Sequence, residues 1–231
     1  MIYGLKIHGS INEKMQEYLI SKLDFCERNN KIKSILFDVN SGGGSATSSE
    51  MIYNRVLQVS KHKPIYSVVT GMAASGAYMI VSPSKKIFSI KTGIIGSIGV
   101  YSIMPDVSEL LGKIGVKIRQ ERLGSHKNAY NPFESPDEES SKKQREIIEG
   151  IYNIFLQTVI DNRKLNDSQI SSIRESDIYL AESAKELNLI DNVCTYEDAI
   201  RQIMNDTGEN SRPYFDVPKL PIIYRIIGKF I

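Results

Sequence analysis

"KPIYSVVTGMAASGAYMIVS", Lys63 to Ser82, decides how this chain is read. Pro64 to Thr70 is rich in β-branched and aromatic residues and predicts a strand. The small residues Ala73, Ala74, Gly76 and Ala77 surround one serine, Ser75, and "GAYMIVS" beyond them predicts a buried helix. The chain therefore passes from strand to helix with a hydroxyl at the junction. Upstream, "MIYGLKIHGSI" alternates and stops at Gly9, which predicts a first strand followed by a helix from about Asn12 to Asn29. "SILFDVN" is a second strand running into "SGGGS", and Ala46 to Ser60 has helical spacing through Met51, Ile52, Val56 and Val59.

Downstream, "KIFSI" predicts a strand and "TGIIGSIGVYS" a glycine-punctuated turn and strand. Ser125 to Lys143, with Pro132 and Pro136, reads as an exposed loop. A long helix follows from about Glu138 to Arg163, with Ile147, Ile151, Ile154, Phe155 and Val159 as its apolar stripe. "DSQISSIRES" predicts a short helix, and "LAESAKELNLIDNV" a helix ending in an apolar turn. The strand–helix alternation predicts an α/β fold with a mainly parallel sheet, in which loops leaving the carboxyl ends of strands build the site.

Composition narrows the function classes. The 231 residues are 41% hydrophobic and 24% charged, with a net charge of +2, which describes an ordinary globular chain and not a disordered one. Basic residues are scattered among acidic ones, so no nucleic-acid partner is expected. Cys26 and Cys194 are far apart and lack metal-ligand spacing; they read as unremarkable thiols, and neither metal nor cofactor is expected. No apolar run approaches the ~20 residues of a membrane-spanning helix. One domain, residues 1–212, is expected, followed by a tail at 213–231.

Cleaving a peptide bond requires an activated nucleophile and donors aimed at the oxygen that becomes negative. "NSGGGS" can supply donors, because glycines let the backbone approach a substrate closely and adopt positive φ. A phosphate cradle is disfavoured, since the Lys-Ser/Thr ending and the dinucleotide spacing are both absent. Ser75, at the strand-to-helix junction, places its own amide and that of Gly76 at a helix N-terminus. The competing reading is that Ser75 merely caps the helix. A serine also needs a base. His8 lies in the first strand and His62 in a lysine-flanked turn, which leaves His126 in a polar loop, with Lys127 beside it. A lysine can replace histidine where desolvation removes its proton. Spacing alone does not choose between Lys127 and the other lysines.

"FDVNSGGGSATSSEMIYNRV", "KPIYSVVTGMAASGAYMIVSPSKKIFSIKTGIIGSIGV", "GSHKNAYNPF" and "YLAESAKELNLIDNV", in that order, resemble the signal peptide peptidase A family. These are serine peptidases of the Clp/crotonase fold, with repeated ββα units. The resemblance runs from about Ile2 to Val193. It implies that Ser75 is the nucleophile, that Lys127 is the general base with His126 a minor rival, and that Gly43 and Gly76 donate to the oxyanion. It gives Gly96 and Ser97 a supporting role, the latter through a hydrogen bond to the lysine. Gly42 stands where the family has proline, which leaves the oxyanion strand less preset; Ala77 replaces a second glycine, with little expected effect.

The resemblance implies peptide substrates, such as cleaved signal peptides or other extended apolar segments. It also implies a homo-oligomeric ring in which subunits can share active sites. In the tail, Ile222, Ile223, Ile226, Ile227 and Phe230 share one helical face opposite Arg225 and Lys229, a stripe suited to a neighbouring subunit or to peripheral membrane association. Family members usually carry an N-terminal anchor, so the expectation is a protein either soluble or membrane-associated, with the anchor absent or removed. Rival readings are a crotonase-like acyl-CoA enzyme using the same backbone donors, a phage-type maturation protease and a catalytically silent scaffold.

Overall fold

The computed structural model describes residues 1–124, 127 and 131–216. In chain order the elements are β1 (Ile2–His8), α1 (Glu13–Arg28), β2 (Ser34–Ser41), α2 (Ala46–Ser60), β3 (Ile65–Ala74), α3 (Gly76–Val81), β4 (Lys86–Ser89) and β5 (Ile94–Gly96). They continue with α4 (Ser108–Lys113), α5 (Glu138–Arg163), α6 (Asp167–Ile173), β6 (Ile178–Leu180), α7 (Ala181–Glu186), β7 (Asn192–Val193), α8 (Tyr196–Thr207) and β8 (Tyr214–Phe215). The chain divides into two compact units, Met1–Gly96 with Ile178 onward, and Ser97–Asp177.

The first unit is built on an eight-stranded sheet ordered β6-β5-β3-β2-β1-β8, with β4 also pairing β3 and β7. Every pairing is parallel except β5 with β6. Strands buried on both faces read as unbroken apolar runs, and Ile35, Leu36, Phe37 and Val39 of β2 are indeed wholly buried. Strand and helix alternate as far as α3; β4 and β5 then follow one another without a helix between. One face of the sheet packs Ile2, Leu36, Tyr66, Val68 and Phe88 against Ala199, Ile200 and Ile203 of α8. Helix starts follow local chemistry: Asn12 Oδ1 accepts from the Met15 amide at 3.1 Å, and Ser45 Oγ from Ser48 at 3.3 Å.

The regular structure described in the second unit is helical. Asp137 caps α5 by accepting from the Ser140 amide at 2.7 Å, and Asn166 and Gln169 form a capping box at α6.

Three expectations need correction. Within α5 only the C-terminal part of the apolar stripe is buried, at Phe155 and Val159, while Ile147 and Ile154 are exposed. In α2, Ile52, Val56 and Val59 face the core but Met51 faces outward. The strand expected through "GIIGSIGVYS" ends at Gly96. The helices α4 and α8 and the short strands β6, β7 and β8 were not anticipated from the sequence. Of the expected tail, Tyr214 and Phe215 belong to the sheet, and the amphipathic stripe from Ile222 to Phe230 lies outside the described residues.

Candidate active site

β3 ends at Ala74 and α3 begins at Gly76, so the whole reversal from strand to helix falls on Ser75. Its backbone sits at φ 52°, ψ −129°, a combination that costs an L-residue of order 1–3 kcal/mol and persists only where its surroundings impose it. The surroundings do. The Ser75 N–H donates to the Gly96 carbonyl at 2.9 Å, and the Ser75 carbonyl accepts from Met79 at 3.1 Å. α3 itself is fully buried, with the Tyr78 hydroxyl donating to the Leu189 carbonyl at 2.7 Å. The Ser75 side chain, partly exposed, makes no capping hydrogen bond, so its hydroxyl is not the helix cap that the competing reading required.

The Gly42–Gly44 loop leaves the carboxyl end of β2 and lies against this turn. A Cβ on Gly43 would come within 2.8 Å of Ser75 Cβ and 2.9 Å of both the Ala74 carbonyl and the Gly76 nitrogen; with φ at 95°, only glycine fits. Gly44 approaches Ile11 as closely, and Ile11 clamps the loop by donating to the Gly43 carbonyl at 2.9 Å and accepting from Ser45 at 2.9 Å. Gly76 is glycine for a third reason: a Cβ there would meet Ser49 Oγ of α2 at 2.1 Å. Gly43, Ser75 and Gly76 are thus adjacent, and Gly96 joins them through its carbonyl.

The amides are not equally available. The Ser75 N–H, a candidate anion donor from the sequence, is spent on Gly96. The Gly43 N–H donates to Ser41 Oγ at 3.1 Å, and that hydroxyl donates in turn to the Gly9 carbonyl at 2.6 Å. Among the described residues, no acceptor faces the Gly76 N–H. Two polar side chains that the sequence did not single out organise the loop. Ser41 is one. Asn40 is the other: its Oδ1 accepts from the Met72 amide at 3.2 Å where the β2–β3 register shifts, and it occupies the space a Cβ on Gly71 would need.

Gly96 adopts φ 117° and Ser97 φ 50°. Ser97 opens the second unit, and its N–H donates to the Asp177 carbonyl at 2.7 Å. Lys127 also belongs to the second unit, on an exposed turn where its N–H donates to the Gly124 carbonyl at 3.2 Å. The pairing of Ser75 with Lys127 is therefore not a contact within either unit, and His126 lies outside the described residues. Among the described residues no group of His, Cys, Asp and Glu could hold a metal ion, and no helix is long and apolar enough to cross a membrane.

A mainly parallel sheet with helices between its first strands defines a fold class, and a solved structure shares that fold. A ClpP1 variant from Listeria monocytogenes superposes with a TM-score of 0.58 at 16% identity, covering 85% of this chain and 94% of that one. The Clp protease family model matches residues 4–92, and that of peptidase family S49 matches residues 58–209. The chain belongs to peptidase family S49, the signal peptide peptidase A family. A Methanocaldococcus jannaschii protein named as a protease is 33% identical over 191 residues, 83% of this chain and 61% of that protein. An Enterococcus faecium protein named as a signal peptide peptidase is 30% identical over 217 residues, 89% of this chain and 63% of that one. Protease 4 of Haemophilus influenzae is 30% identical over 195 residues, but the match spans only 31% of it. The chain thus covers under two thirds of each of these relatives.

Proposed function

We propose that this protein is a serine endopeptidase in which the Ser75 hydroxyl attacks the carbonyl carbon of an extended peptide and Lys127 accepts the hydroxyl proton. The observation that carries the reading is the backbone of Ser75: a strained turn, braced from both sides, holds a hydroxyl that caps nothing beside an amide, that of Gly76, with no described acceptor. Strain of this kind is retained where it aims a reacting atom. Family membership and the names of the relatives support peptide bonds as the target.

Attack by Ser75 Oγ on the carbonyl carbon leaves the carbonyl oxygen negative, and the Gly76 N–H stabilises it. Gly43 supplies a second donor once its N–H turns from Ser41 Oγ to the substrate. Lys127, after taking the Ser75 proton, passes it to the departing amine, and water then hydrolyses the acyl-enzyme, with the lysine again accepting a proton. Lys127 must be unprotonated to do this, which requires its desolvation when substrate or a neighbouring subunit covers it. Gly96 positions Ser75 through its carbonyl, and Ser97 supports the lysine. Cleaved signal peptides and other extended apolar segments are the substrates this reading favours. It also favours a homo-oligomer, because unit Ser97–Asp177 exposes large apolar side chains such as Tyr101 and Ile103 that a second copy would cover.

Labelling with a fluorophosphonate tests the proposal directly. Ser75 becomes the modified residue, and Ser75→Ala and Lys127→Ala each abolish peptide cleavage, whereas His126→Ala retains most of it. Undiminished hydrolysis by Lys127→Ala refutes the dyad. A chain that resists labelling yet hydrolyses an acyl-CoA thioester would belong to the crotonase-like reading instead.

A further inference from the structure

β1 lies near one edge of the sheet, and the described residues cover only half of that edge. Met1 accepts from the Lys33 amide through its carbonyl, and the Gly9 N–H donates to Asn40, so the odd-numbered residues of β1 point their backbone groups at β2. The even-numbered ones point the other way, toward β8. The β1–β8 ladder contains only Tyr3 with Tyr214 and Gly4 with Phe215. Beyond it, the N–H and C=O groups of Lys6 and His8 have no backbone partner among the described residues. Beside them is a recess of about 560 Å3, lined by Lys6, His8, Lys14, Met15, Tyr18 and Phe215 among others.

The recess is lined by the lysines Lys6 and Lys14, by His8 and by one carboxylate, Asp216. His8 is within 3.2 Å of Asp38, and Asp216 is paired with Lys22, so both nearby carboxylates are already engaged. Lys6 and Lys14 have no acidic partner among the described residues. The chain's own continuation is unsuited to the edge. One step further the parallel ladder would need an amide hydrogen at position 218 to reach the Lys6 carbonyl, and residue 218 is proline. Residues 217–231 also contain Lys219, Arg225 and Lys229 and no aspartate or glutamate. An edge strand that the described residues leave unpaired, beside a partly apolar recess with two lysines free of acidic partners, has the features of strand-addition recognition: the backbone ladder gives affinity and the flanking side chains give selectivity.

We propose that the edge of β1 from Lys6 to His8 is a docking site for an extended acidic segment of a partner protein, which adds to the sheet as a strand while its carboxylates meet Lys6 and Lys14. The site is separate from Ser75, two strands away in the sheet order, and does not depend on the chain's being a peptidase.

The test uses the full-length Ser75→Ala protein, which cannot consume the probe, and fluorescence anisotropy with a capped, fluorescein-labelled (Asp-Val)5 peptide. The acidic peptide binds and a (Lys-Val)5 peptide does not. Lys6→Glu with Lys14→Glu weakens binding by about tenfold or more, and the milder Lys6→Gln with Lys14→Gln gives an intermediate loss. N-methylation of alternate residues of the acidic peptide, which keeps its charge and removes its amide donors, abolishes binding. In the Ser75 form, the same lysine substitutions leave cleavage of a neutral peptide within about twofold. The proposal fails if charge reversal leaves affinity unchanged or if the N-methylated peptide binds as well as its parent. It also fails if the substitutions alter only the mass of the assembled particle, since the edge would then be a contact between copies of the chain.

Discussion

At the scale of single residues, the three glycines of "SGGGS" have different duties. Gly43 combines positive φ with contact on Ser75, Ala74 and Gly76, whereas a Cβ on Gly42 would meet only Met72 Sδ, at an ordinary 3.5 Å. Gly43→Ala is therefore expected to cost about 1–3 kcal/mol in stability and to abolish turnover, because the side chain pushes on the turn that holds Ser75, the proposed nucleophile. Gly42→Ala is expected within about 0.5 kcal/mol of the parent. Urea melts and turnover of the two variants together check this, and similar losses at both positions would mean that the loop is not seated on Ser75. The sequence exposed part of this site. A serine among small residues at a strand-to-helix junction, and a glycine run after the preceding strand, are local signals. The capture of the Gly43 amide by Ser41 was not legible, because a serine two residues back gives no sign of which way its hydroxyl turns. Nor was the spending of the Ser75 amide on Gly96, which comes from a strand twenty residues downstream.

At the scale of elements, β8 shows how little chain a strand needs when its partners are good. Gly4 leaves room for the Phe215 ring, which lies within 2.4 Å of where a Cβ would be, and Asp216 then ties the strand down. The Lys22 ammonium, first, and the Tyr3 hydroxyl hold the Asp216 carboxyl below its usual range, while burial pushes the Tyr3 hydroxyl well up. A depressed carboxyl contributes stability that is fully present above its unfolded value, about 3.9, and is lost as pH falls through the lower folded value. Hydrogen exchange at β8, corrected for intrinsic rates, should thus accelerate on acidification below about pH 4, and Asp216→Asn should flatten that dependence. An acid response unchanged in Asp216→Asn would assign it to another carboxylate. The main strands were readable because strands buried on both faces are continuous apolar runs. β8 was not, since two residues carry no period and its existence depends on Gly4, over two hundred positions away. α8 left a signal that could have been read: Thr195 with Asp198 three residues on at its start, and Gly208 at φ 67° to end it. In α5 the spacing identified a helix but not what covers it, which is why Ile147 and Ile154 were misplaced.

At the scale of the whole molecule, the unit Ser97–Asp177 carries several large apolar side chains in the open, with Tyr101 83%, Ile103 81% and Leu123 96% exposed. A chain that exposes so much apolar surface is expected to bury it against a copy of itself. Ile103→Glu with Leu123→Glu should therefore lower both the particle mass seen by light scattering and the peptidase activity, while the monomer melts at its former temperature. Full activity in a monomeric variant would detach catalysis from assembly. The path of the chain between the units has a mechanical corollary. The Gly96 carbonyl that fixes Ser75 and the Ser97 N–H that meets Asp177 belong to one peptide group, and such a group turns only as a plate. A tilt of that plate would reach the Ser75 backbone with no side chain carrying the message.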